Sequence, residues 1–172
     1  MKHLMLAAVL ALSVSGCSQI NEIPDDTLQH DLNIGARQAS SYALKAALKK
    51  FPADAAKITA DANIALDILN NNLIPAFSGA STADVVRGVL DTALAQLKGK
   101  LTDPRVIEVA DLSVEFILAN VKLPASPTAK LDERTRKILL GIFTGLSDGI
   151  KSATATAAPA PARAPLTIPA NP

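Results

Sequence analysis

The chain has 172 residues, of which 17 are Lys or Arg and 16 are Asp or Glu, with a single cysteine and no tryptophan. That length fits one domain of ordinary size after a short leader. The even charge balance gives no electrostatic case for nucleic acid or for anionic lipid, and one cysteine excludes an intramolecular disulfide. The aromatics are Tyr42 and four phenylalanines, so base-stacking platforms and aromatic-rich binding patches are poorly supplied.

Met1-Lys2-His3 is a short basic start, and Leu4 to Leu12 is almost wholly Leu, Ala, Met and Val. Ser13 to Gly16 is small and mildly polar. This is the order of a secretory signal peptide, and its apolar run falls short of the ~20 residues a membrane span needs. Val14-Ser15-Gly16-Cys17 then resembles the lipobox of bacterial lipoproteins. The resemblance covers residues 1–17 alone. It implies that the Cys17 thiol receives diacylglycerol, that cleavage removes residues 1–16, and that the new amine receives a further acyl chain such as palmitate. Two or three chains hold a protein to a bilayer stably, whereas one does so marginally. Ser18 stands where an Asp would favour inner-membrane retention, so in a Gram-negative host the resemblance implies the outer membrane, facing the periplasm or the surface.

Loss of Lys2 leaves the mature side chains with sixteen charges of each sign. Residues 17–26 read as a lipidated, disordered tether. Residues 27–151 read as the folded domain, divided by Pro52, Pro75, Pro104, Pro124 and Pro127 into stretches of helical length. The first helix is expected over Thr27 to Lys50, with Leu28, Leu32, Gly35, Ala39, Tyr42 and Ala46 in register. The second runs from Ala53 to about Asn72, carrying Ile58, Ala62, Ala65, Leu69 and Leu73 on one face. The third starts at Ser81, where Ser81 and Asp84 form an S-x-x-D capping pattern, and stops near Gly99.

The fourth helix opens with Asp103-Pro104 and carries Ile107, Ala110, Val114, Ile117 and Val121. The fifth covers Leu131 to Ile150, with Leu131, Ile138, Ile142 and Leu146 in register. No stretch alternates with period two. The expected fold is all-α, a bundle of about five antiparallel amphipathic helices, because short connections favour antiparallel neighbours. A weak match at an offset of 50 residues, such as Ala43-Leu44 with Ala93-Leu94, raises an internal repeat of two hairpins. Residues 152–172 are Ala, Thr and Pro with one charge, Arg163, and read as a disordered, polyproline-like tail.

Catalytic patterns are missing: there is no G-x-S-x-G, no H-E-x-x-H and no phosphate-binding glycine loop. Glu108, Asp111 and Glu115 fall on one helical face, which reads as a solvated face before it reads as a cation site. His30, the sole histidine of the mature chain, reads as a surface residue. No metal or cofactor is expected beyond the lipid on Cys17.

The distinctive mature feature is Gly141, Gly145 and Gly149, spaced every four residues in the fifth helix. Each glycine costs close to 1 kcal/mol of helix propensity against alanine. Three on one face imply that something approaches closely there. It is either another helix of the bundle, or a partner or a second copy of the chain, or, least in keeping with the adjacent charges, lipid. The function expected is that of a non-enzymatic interaction or scaffold module, held at the membrane by its lipid and meeting an envelope protein. The alternative is a carrier or sensor of a small apolar ligand or lipid between the helices.

Overall fold

The computed structural model describes residues 23–79, 82–104, 106–107 and 123–157. Among them the chain is helical and forms no strand, apart from one isolated antiparallel bridge between Thr82 and Lys130. The described residues form four helical rods. α1 spans Asp25–Lys50. The second rod joins α2 (Ala55–Ile68), a π-helical turn (Leu69–Leu73) and α3 (Ile74–Ser78). α4 spans Ala83–Lys100 and α5 spans Glu133–Ala157. Of the expected fourth helix only Pro104, Val106 and Ile107 are described, and they are helical. Its stripe from Ala110 to Val121 lies outside the described residues, as do the leader, the tether as far as Asn21-Glu22, and the tail beyond Ala157.

α1 begins two residues earlier than its apolar spacing suggested. Pro24 occupies the cap position, and its carbonyl accepts the Leu28 N–H at 2.9 Å. Asp25 and Asp26 lie in the first turn and Lys49 and Lys50 in the last, each pair complementing the helix dipole. Pro52 ends the helix: it drives Phe51 out of the helical region, to φ −126° and ψ 64°.

Pro75 does not end its helix, contrary to expectation. Proline offers no N–H and its ring collides with the carbonyl four residues back. Here the collision is avoided by widening one turn to π geometry over Leu69–Leu73, immediately before Pro75, so the rod continues to Ser78. α5 also outruns its expected limit, passing Ile150 and continuing through Ala157, six residues into the Ala/Thr/Pro-rich stretch. The residues 152–157 are Ser, Ala and Thr without proline, so nothing there opposes the helix.

The cap of α4 is also not the expected one. Thr82 takes the cap position, without a side-chain hydrogen bond. The Ala83 and Asp84 N–H groups donate instead to the carbonyls of Ala129 and Pro127, at 2.9 and 3.0 Å. A distant loop thus satisfies groups that a local side chain would otherwise cap. Gly99 is helical, and α4 stops one residue beyond it, where Leu101 becomes extended.

The main core lies between the second rod, α4 and α5. Ile68, Leu69, Leu73 and Phe77 meet Val86, Leu90, Ala93 and Leu97, with Leu101, Leu139 and Phe143 closing the cluster. Phe77 and Phe143 stack, with ring centroids 5.2 Å apart and planes 12° apart. Full burial of each such ring contributes about 1.5–3 kcal/mol. No residue of α1 belongs to this cluster. α1 lies on the opposite side of α5.

Candidate functional site

α5 has two working faces. One carries Leu139 and Phe143 into the core, and the other carries Gly141, Gly145 and Gly149, all three buried. The glycine face receives the backbone of α1. A Cβ placed on Gly141 would lie 2.5 Å from the Gln29 carbonyl oxygen. One on Gly145 would lie 2.3 Å from the Asn33 oxygen and 2.9 Å from the Ala36 Cβ. One on Gly149 would run into the Ser40 hydroxyl and lie 2.4 Å from the Arg37 oxygen. No side chain fits at these positions, so the two helices meet backbone to backbone.

The partners advance in step: Gln29 with Gly141, Asn33 with Gly145, Arg37 with Gly149. Both sequences increase in the same direction. α1 and α5 therefore run parallel; they are the first and fifth of the expected helices, and directions that alternate along a chain give the first and fifth the same one. The expectation of antiparallel neighbours concerned successive helices joined by short loops, and these two are not successive.

Parallel packing sets the two helix N-termini side by side, where positive dipole ends repel. Asp25, Asp26, Asp132 and Glu133 populate these ends and offset that repulsion. Arg134 pairs with Asp25 and also donates to the Ile23 carbonyl at 3.1 Å. Lys137 reaches Asp26 at 2.6 Å and Glu133 at 3.6 Å. The Asp26 carboxylate raises the pKa of the Lys137 ammonium. Arg136 pairs with Glu133 at 2.5 Å and reaches the Phe77 and Ser78 carbonyls at 3.4 Å, at the end of α3. Its hydrogen bond is the chief reason that the Glu133 pKa is lowered. Cations in the first turns of a helix are unfavourable for that helix taken alone. Here they answer charges and carbonyls on α1 and α3.

Asp132 caps α5. Its carboxylate accepts the Thr135 N–H at 2.8 Å and the Thr135 hydroxyl at 2.7 Å. The backbone bond from Thr135 is the leading cause that holds the Asp132 carboxyl below its ordinary pKa.

Two polar features escaped the sequence reading. Asp61 on α2 is 2 % exposed, and its carboxylate accepts Asp103 N–H at 2.7 Å, Thr102 N–H at 3.1 Å and the Thr102 hydroxyl at 3.3 Å. It fixes the chain where it leaves α4 and starts the turn at Pro104, where Val106 N–H bonds the Asp103 carbonyl at 3.0 Å. Ser147 on α5 is 1 % exposed and donates to Asn70 in the π turn at 2.9 Å, while Asn72 donates to Gln96 on α4 at 2.9 Å. An isolated Asp or Ser in a helical pattern reads as solvated, so only the tertiary structure reveals these roles.

The arrangement supplies close packing and fixed polar clasps. Among the described residues no group of three or more His, Cys, Asp or Glu side chains could hold a metal, and no helix is long and apolar enough to cross a membrane. His30 is exposed on α1. Cys17 and the acidic face of Glu108, Asp111 and Glu115 lie outside the described residues. No family model, curated protein or solved structure matches the chain.

Proposed function

We propose that this chain is a lipid-anchored protein of the bacterial cell envelope, acting as a non-enzymatic interaction or scaffold module. The reading is carried by one observation, Val14-Ser15-Gly16-Cys17 placed directly after a basic start and an apolar run. Acylation of Cys17 would fasten the chain to the membrane, in the outer membrane if the host is Gram-negative. α1 begins at Asp25. The connection from Cys17 is then eight residues, a reach of roughly 26 Å at ~3.3 Å per residue. The helical body would accordingly meet its partner, an envelope protein, close to the bilayer. A further helix after Asp103-Pro104 completes the bundle in this reading.

Metabolic labelling with a clickable palmitate analogue tests the anchor. Wild-type protein should carry label and fractionate with membranes, and Cys17→Ala should do neither. An unlabelled wild-type protein would overturn the reading. Crosslinking in cells, with identification of the captured chain, tests the scaffold role. Recovery of a stoichiometric lipid inside the helical body, with no protein captured, would favour the apolar-ligand carrier instead.

A further inference from the structure

α1 is bound in a different manner from the other helices. Its fully buried side chains are Leu28 and Ala36, and the rest of its described residues are half-buried or exposed. It adds nothing to the cluster that holds the second rod, α4 and α5 together. Its main contact is the glycine face of α5, where backbone meets backbone. Regions with few buried apolar contacts open at lower free energy than the core around them.

Its two ends differ. The Asp25 end is latched by Arg134, which holds both Asp25 and the Ile23 carbonyl, and by Lys137 on Asp26. The Lys50 end runs into Phe51 and the short 3₁₀ turn Pro52–Asp54, a break between two rods at which direction can change. The core shared by the second rod, α4 and α5 contains no residue of α1.

We propose that α1 is a releasable strap. It is latched by ion pairs at its Asp25 end and hinged at Phe51–Asp54, and it opens as a unit while the body stays folded. Opening uncovers Gly141, Gly145 and Gly149 together. Tension applied to the chain ahead of Asp25 would reach the latch first and peel the strap from that end. The proposal stands independently of lipid on Cys17.

Hydrogen exchange of the full chain, read by mass spectrometry, tests it. Amides of α1 should exchange as one block, about tenfold or more faster than the buried stretches of α4 and α5. The double variant Arg134→Met, Lys137→Met removes the latch. It also removes two cations from the start of α5, which eases that helix's own dipole. α1 should then exchange about threefold faster or more, with α4 and α5 unchanged. Protection of α1 equal to that of α5, or a variant that speeds all helices alike, would show one cooperative unit and overturn the strap.

Discussion

Replacing Gly145 by alanine adds one methyl group where the backbone of α1 already stands. That methyl would lie 2.3 Å from the Asn33 oxygen and 2.9 Å from both the Asn33 Cα and the Ala36 Cβ. A comfortable carbon–oxygen approach is about 3.3 Å or more, so α1 must retreat by about 1 Å. Helix propensity alone would reward the change by about 1 kcal/mol. Overpacking costs about 1–3 kcal/mol when flexible side chains absorb it, and here the obstacle is main chain. The clash should win, with a net loss of about 1–2 kcal/mol. Gly88, exposed on α4 with nothing within 4 Å of its would-be Cβ, is the matched control. Gly88→Ala should stabilise by about 0.5–1 kcal/mol. Urea unfolding monitored by far-ultraviolet circular dichroism should move the two midpoints in opposite directions. A Gly145→Ala protein as stable as Gly88→Ala would refute the close approach of α1 and α5.

Asp61→Ala should lower stability by about 2–4 kcal/mol, because two backbone N–H groups lose a charged acceptor; a urea midpoint near wild type would count against the clasp. Phe143→Ala removes one ring of the Phe77 stack and should cost about 3–5 kcal/mol in the same assay. Asp132→Asn keeps a capping side chain but removes the titrating group. The Asp132 pKa is lowered in the folded chain, so its contribution is complete above the ordinary value of 3.8 and drains away as pH falls through the folded value. The stability gap between wild type and Asp132→Asn should therefore be present at pH 6 and close toward about pH 2, as thermal melts across that range would reveal. A gap that persists at acid pH would assign the effect to something other than the carboxylate.

Two helices were legible because each buries its expected stripe: Ile58, Ala62, Leu69 and Leu73 in the second rod, and Val86, Leu90, Ala93 and Leu97 in α4. Of the stripe expected for α1 only Leu28 is buried, and Tyr42 is exposed. α5 buries Leu139 and Phe143, one position on from the expected Ile138 and Ile142. Local signals failed where the answer lay elsewhere in the chain. Ser81 and Asp84 resemble a cap, but the N–H groups at that end of α4 go to Ala129 and Pro127, more than forty residues on. Pro75 reads as a stop, yet a wider turn absorbs its ring. The glycines of α5 announced a close neighbour without naming it. On α1 the facing residues are the main chain of Gln29, Asn33 and Arg37 together with the small side chains of Ala36 and Ser40, which do not stand out in a helix rich in Ala and Ser. That α1 and α5 would meet was not legible either, since loop length says nothing about which non-consecutive helices become neighbours.

The parallel pairing of α1 and α5 has a mechanical consequence. Two helices of 26 and 25 residues lie side by side and begin at the same end. Each rises about 1.5 Å per residue, so both are struts close to 38 Å long. The chain comes into this pair at Asp25 and departs from it at Ala157, at opposite ends of the strut. With α1 docked, its entry and exit points are held apart by that length. The pair acts as a ruler that fixes the distance between the chain's points of entry and exit.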